Sequence, residues 1–283
     1  VDAPSAKLST SAADTELSTM RAFRVAYDGR PYHGFQRQPD VPTVEGRIFT
    51  ALGRLGVADG KPEGYAAAGR TDAGVSAVAQ TVAFACPDWL TPRAFNSELP
   101  ASIRAWAGAD APAGFHATHH AEYREYVYHL YAPDADLERA ESALAELRGE
   151  NDFRNLTSDD ENTVRELRGE VSRDSDYLVF RLRAGGFARE MVRRVVSLVH
   201  AVASGDAELG KVARVLGPEP VTGPEGVAPA PAAPLVLVDV EYPELEFSVD
   251  DAATESAREV FESLWEERAT GARVADEVLQ RVE

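Results

Sequence analysis

The chain alternates short apolar runs with polar turns, and the period of those runs shifts between two and about 3.6. "RAFRVAYDG" from Arg21 alternates as a strand does and halts at Asp28-Gly29. From Val44 to Leu55 the spacing Val44, Ile48, Leu52, Leu55 predicts an amphipathic helix, with Thr43 as its N-cap. "QTVAFAC" reads as a second strand, stopped by Pro87. "REYVYHLYA" from Arg124 reads as a third, with Tyr126, Tyr128 and Leu130 on one face. Asp136 can cap a helix carrying Leu137, Leu144 and Leu147 that stops at Gly149. After the strand "YLVFRLRA" and Gly185-Gly186, a longer helix sets Met191, Val192, Val195, Val196 and Val199 on its apolar side. Its other side holds Arg189, Arg193 and Arg194. A proline-rich loop from Gly217 to Pro234 leads into a last strand, "LVLVDVEY". The tail from Val249 is helical in pattern, with Val260, Phe261, Leu264 and Trp265 as its apolar contacts.

Two successive units of strands and helices emerge from this pattern, with the boundary near Pro133. That is an α+β layout of two related halves. The expected division is an unstructured N-terminal extension over 1–20, an N-terminal half over 21–132, a C-terminal half over 133–243 and an acidic helical tail over 244–283.

Composition changes the picture in one respect. The 283 residues carry 47 acidic against 29 basic side chains, a formal net charge of −18, and Lys7, Lys61 and Lys211 are the only lysines. Such a surface repels nucleic acid in dilute buffer. In multimolar salt, charge is screened within about 3 Å, and a dense acidic surface serves mainly solvation. The composition is therefore that expected of a salt-adapted protein, and its acidity says little about the partner. The charge is unevenly placed. Thr163 to Arg194 holds eight arginines against five acids, Arg21 to Arg37 four against Asp28 alone, and Glu244 to Glu283 four against twelve. Either an ordinary mixed surface or two basic patches meeting around a polyanion fits these counts. No apolar run is long enough to span a bilayer. With no secretory leader in view and Cys86 as the single cysteine, a reducing, cytoplasmic setting is expected.

The chemistry narrows by elimination. His116, His119 and His120 form an H-x-x-H-H cluster, but no cysteine or patterned carboxylate accompanies it, so surface or loop histidines are expected rather than a metal site. There is no G-x-S-x-G elbow and no P-loop pattern. "AAAGRTDAGVSA" (Ala66 to Ala77) remains, with Arg70-Thr71-Asp72 set among small residues. Two readings stay open from these residues alone. Asp72 can cap a tight turn in which Gly74 takes a positive φ and Arg70 is solvated. Alternatively, the arginine can hold a carboxylate nucleophile ionised in a partly dry cleft.

"AGRTDAGVSA" resembles the catalytic motif of the tRNA pseudouridine synthase A family, which acts on the anticodon stem-loop. "YDGRPYHGFQRQ", "REYVYHLY", "GENDFRNLT", "GGFAREMVRRVV" and "APAAPLVLVDVEYP" resemble further motifs of that family, in family order, from about Arg21 to Pro243. The resemblance implies a pseudouridine synthase fold of two ferredoxin-like halves with mostly antiparallel sheets and a catalytic cleft between them. It implies isomerisation of uridine to pseudouridine at tRNA positions 38, 39 or 40, with the target base flipped out. Asp72 is then the nucleophile, Arg70 keeps the nucleotide extruded, Tyr126 stacks on the uracil, and Arg193 sustains the charge of Asp72. Phe35, Gln36, Leu235 and Leu237 fall at substrate-binding positions. The partners implied are tRNA and a second copy of the chain, with no membrane. No cofactor and no metal follow, because an isomerisation moves no net electrons. Ser76, Phe35 and Pro234 depart from the family's frequent His, Trp and Gly at those places.

Overall fold

The computed structural model describes residues 18–282. The expected unstructured extension therefore lies outside the described residues up to position 17. Its last two residues belong instead to a strand, because Thr19 and Met20 pair with Cys86 and Ala85. The N-terminal half runs β1 (Thr19–Tyr27), α1 (Val44–Arg54), β2 (Ala66–Ala67), β3 (Ser76–Cys86), α2 (Pro92–Asn96) and β4 (Ile103–Asp110). β1 lies between β3 and β4, antiparallel to both, which buries every residue from Ala22 to Tyr27. α1 forms as its period predicts. Thr43 Oγ1 accepts from the Gly46 amide at 3.2 Å, satisfying one free N–H of the first turn, and Val44, Ile48 and Leu52 are buried.

The C-terminal half runs β5 (Tyr123–Tyr131), α3 (Leu137–Leu147), β6 (Gly149–Asp152), β7 (Val164–Asp174), β8 (Tyr177–Ala184), α4 (Met191–Ala203), α5 (Gly210–Leu216) and β9 (Leu235–Glu241). β10 (Ser248–Val249) and α6 (Asp251–Leu279) complete the chain. Asp136 caps α3 by accepting from the amides of Glu138 and Arg139 at 2.9 and 3.2 Å. The apolar side of α4 (Met191, Val192, Val195, Val196, Val199) is buried, and α3 packs against both α4 and β7. Arg189 stands outside α4, in the loop before it, because the helix starts only at Met191.

One mostly antiparallel sheet joins the halves in the order β10-β4-β1-β3-β9-β5-β8-β7-β6, with β2 paired to β3 off that path. The seam is the parallel pairing of β3 with β9 through Ser76↔Val236 and Ala77↔Leu237. It brings the residues just before β3 beside the start of β9. On its other side β9 runs antiparallel to β5, so Tyr126 faces Leu237 in register. This seam is what positions the site.

The tail departs from expectation. Asp250 caps α6 by accepting from the Ala253 amide at 3.0 Å, and α6 packs on β4 and α2. Ala253 and Ala257 are its buried residues, while Val260, Phe261 and Leu264 are half-covered and Trp265 is 69% exposed. Two alanines let the helix axis approach the sheet closely, and the helix then runs past the elements that could cover its later apolar residues. Its last packed anchor is an ion pair, Arg268 Nη2 to the buried Asp28 Oδ2 at 2.6 Å. Residues 271–282 are exposed throughout. A chain ended after Thr270 loses no buried contact, so its thermal midpoint is expected to move by less than about 3 °C by circular dichroism. A drop of about 10 °C or more would show that the projecting segment supports the fold.

Candidate active site

The loop between β2 and β3 carries Arg70, Thr71 and Asp72. It is fixed by its neighbours more than by itself. Thr71 is buried, its Oγ1 2.8 Å from the Tyr27 hydroxyl, and its carbonyl accepts from the Phe35 amide at 3.0 Å. The Val75 amide donates to the Asp72 carbonyl at 3.1 Å, closing a turn in which Gly74 takes φ +84°. Close approach explains Gly29 too, since a Cβ there would stand 2.0 Å from the Val75 carbonyl oxygen. The turn reading holds for the positive φ of Gly74 and the exposed Arg70, but Asp72 closes the turn with its backbone carbonyl and not with its carboxylate, which faces a cavity of about 1020 Å³ between the halves.

Asp72 does not face solvent alone. Arg193, in the first turn of α4, donates from Nη1 to Asp72 Oδ2 at 3.0 Å and from Nε to the Ala230 carbonyl at 2.6 Å. The arginine side chain is 14% exposed and the aspartate 33%. Tyr126 lies buried beside them, its ring edge-on to Phe187 at 5.2 Å between centroids. Burial pushes its phenol up to about 12, against a smaller opposing pull from Arg124, and the charge of Asp72 adds to the rise. It is a neutral donor at any ordinary pH.

The other expected site residues are only partly gathered. Arg70 and Gln36 are exposed on the cavity wall, and Leu235 closes part of it. Phe35 touches the wall but is 1% exposed, its ring tilted toward that of Tyr27 at 6.2 Å between centroids. Leu237 is fully buried and does not line the cavity, because two further residues along β9 carry it into the core. The histidines separate by task. His116 lines the cavity with its ring 4.2 Å from that of His119, while His120 pairs with Glu244 at 2.9 Å. Among the described residues, no group of three His, Cys, Asp or Glu side chains could hold a metal ion. The basic stretches divide likewise. Arg37, Arg70, Arg165, Arg189 and Arg193 line the cavity, whereas Arg168 and Arg181 pair elsewhere with Glu166, Glu125 and Glu170.

Two residues of the cavity wall escaped the sequence reading. Arg124 is buried, and its guanidinium donates to the carbonyls of Ala68, Thr118, Ala121 and Gly185. It thus clasps the segment entering the Arg70–Asp72 loop to the one leading into α4. The available signal was its alternation with Tyr126 and Tyr128, which puts a charge on the inward face of β5. Glu190 adopts φ +58° just before α4, and its carboxylate reaches both Arg193 and Arg194. Nothing in the sequence announces a left-handed glutamate.

A family model described as tRNA pseudouridine synthase matches residues 143–243. A protein of Haloarcula marismortui named tRNA pseudouridine synthase A is 56% identical over 272 residues, covering 92% of this chain and 98% of its own. The chain belongs to the tRNA pseudouridine synthase A family. A Halobacterium salinarum member is 60% identical over 259 residues, covering 90% of this chain and 97% of its own. One from Methanothrix thermoacetophila is 38% identical over 270 residues, at 92% and 97% coverage. Family membership makes the protein an isomerase with the α+β architecture described above.

The buried tyrosines of this family member give its stability a defined alkaline limit. Tyr126 and Tyr128 are raised from 10.0 to about 12, and Tyr27, Tyr65 and Tyr242 are raised as well, in each case chiefly by burial. The unfolded chain releases these protons first, so alkali favours unfolding. The tyrosine contribution is complete below about pH 10 and is lost as pH rises through about 12. Urea midpoints should hold level up to about pH 10 and fall beyond it; a level midpoint across that window would contradict the assignment.

Proposed function

We infer that the protein converts uridine to pseudouridine in the anticodon stem-loop of tRNA, at positions 38, 39 or 40, with Asp72 as nucleophile. The observation that carries the reading is the Asp72–Arg193 pair at 3.0 Å on the wall of a cavity with room for a nucleotide, with Tyr126 and Leu235 beside it. A base inside a stem is out of reach and must be extruded, which costs about a few kcal/mol. Stacking of the extruded uracil on an aromatic face offsets about 1–3 kcal/mol of that. Tyr126 supplies the face, and its neutral phenol can donate to the uracil. Arg70, without a carboxylate partner among the described residues and standing at the cavity wall, helps keep the nucleotide extruded. The Asp72 carboxylate gives its electron pair to the nucleotide, and uracil leaves C1′ with the glycosidic electrons. The base turns and rejoins through C5, the bond to Asp72 breaks with its electron pair returning to the carboxylate, and the proton lost from C5 is balanced by one taken up at N1. Atoms and electrons balance within one substrate, so no cofactor enters.

Two of the relatives named above, from Haloarcula marismortui and Halobacterium salinarum, come from salt-loving archaea, in keeping with the acidic composition. The family reading further makes the working enzyme a cytoplasmic homodimer that binds tRNA. The direct test is to map pseudouridine in unmodified tRNA incubated with the protein at high salt. Asp72→Asn and Asp72→Ala are expected to lower turnover by on the order of 10³-fold or more while tRNA binding persists. Turnover near wild type in either variant would refute the role of Asp72.

A further inference from the structure

We propose that Glu190 is a positioning residue for the reaction: it keeps Arg193 compensated and in place while Asp72 is engaged with the nucleotide. The inference rests on the proposed role of Asp72 and adds to it.

Arg193 Nη1 stands between two carboxylates, 3.0 Å from Asp72 Oδ2 and 3.7 Å from Glu190 Oε1. The other Glu190 oxygen meets Arg194 Nη2 at 2.7 Å, and Arg194 in turn donates to the Val227 carbonyl. Glu190 is therefore held on one side by a fixed arginine and presents its second oxygen to Arg193. Its side chain is 25% exposed and lines the same cavity. With Asp72 ionised, the single guanidinium is shared. Once the Asp72 carboxylate has given an electron pair to a new bond, the negative charge resides on the departing uracil. Arg193, 14% exposed, would then lack a fixed counter-charge if Asp72 were its only partner. Glu190 does not react, and it remains.

The backbone supplies an independent observation. Glu190 sits at φ +58°, ψ 2°, at the N-cap of α4, where its side chain makes no capping bond. A residue with a Cβ is strained there and glycine would not be. The chain uses glycine twice nearby, at Gly185 and Gly186. Strain without a cap at a cavity wall indicates a side chain retained for what it faces.

The test separates this role from a structural one. Glu190→Gly relieves the left-handed strain and removes the carboxylate, so its thermal midpoint is expected to equal or exceed wild type while kcat on tRNA falls about tenfold at unchanged KM. Glu190→Gln keeps the shape and a hydrogen-bonding oxygen without the charge, and is expected to lose about as much kcat as the glycine variant. Wild-type kcat in either variant overturns the proposal. So does a kcat loss that follows a falling thermal midpoint, or a rise in KM with kcat unchanged, which marks a substrate contact. Failure of the wild-type enzyme to form pseudouridine in the same assay would instead overturn the proposed function on which this rests.

Discussion

An ion pair in the cavity wall spans stretches 121 residues apart in the chain: Arg193 of α4 meets Asp72 of the β2–β3 loop at 3.0 Å. Neither half supplies both partners. The pair can exist only because the parallel seam of β3 with β9 sets the two halves in one sheet and leaves a cavity across it. Much of the surrounding structure supports that geometry. Tyr27, Phe35 and Tyr32 hold the Asp72 loop from the N-terminal side, through the Thr71 hydroxyl, the Thr71 carbonyl and the Gly74 amide. The Ala230 carbonyl holds Arg193 from the C-terminal side. Arg124 fastens the approaches to both.

The arginines of this acid-rich chain serve structure as often as surface charge. Arg21, Arg104, Arg124, Arg173, Arg193 and Arg194 each donate to backbone carbonyls far along or next to them in sequence. A guanidinium is planar, carries five donors and keeps its charge when partly buried, so it can bind several carbonyls where a lysine could satisfy fewer. That chemistry changes the meaning of the arginine-rich stretch from Thr163 to Arg194. Counted along the chain it is a basic patch. In three dimensions part of it is paired on the sheet, part clamps loops, and part faces the cavity.

Local signals carried the elements whose stability is local. Thr43 and Asp136 each cap the helix that their spacing from the first apolar residues predicted, and the apolar side of α4 is the one its period marks. β7 was not anticipated, although Leu167 and Val171 alternate with polar residues, because only two apolar positions lie on its inward face. The contacts of α6 were read only in part. Val260, Phe261 and Leu264 of the expected stripe are half-covered, whereas Trp265 is 69% exposed and the buried contacts are Ala253 and Ala257. The site divides in the same way. Asp72 and Arg193 were nameable through the resemblance of their motifs. Arg124 and Glu190 act through contacts made only when distant loops meet, and Leu237 was carried past the cavity by the depth of β9. Side-chain type can be read along a chain; distance across a seam cannot.

The most direct measurement of the central interaction is a double-mutant cycle on stability, using Asp72→Asn, Arg193→Met and the two together, by urea denaturation at fixed high salt. A pair that joins the halves predicts a coupling energy of about 1 kcal/mol, the double variant being less destabilised than the sum of the singles. Additive effects within about 0.3 kcal/mol would mean that Asp72 and Arg193 do not act on one another, and would contradict the account.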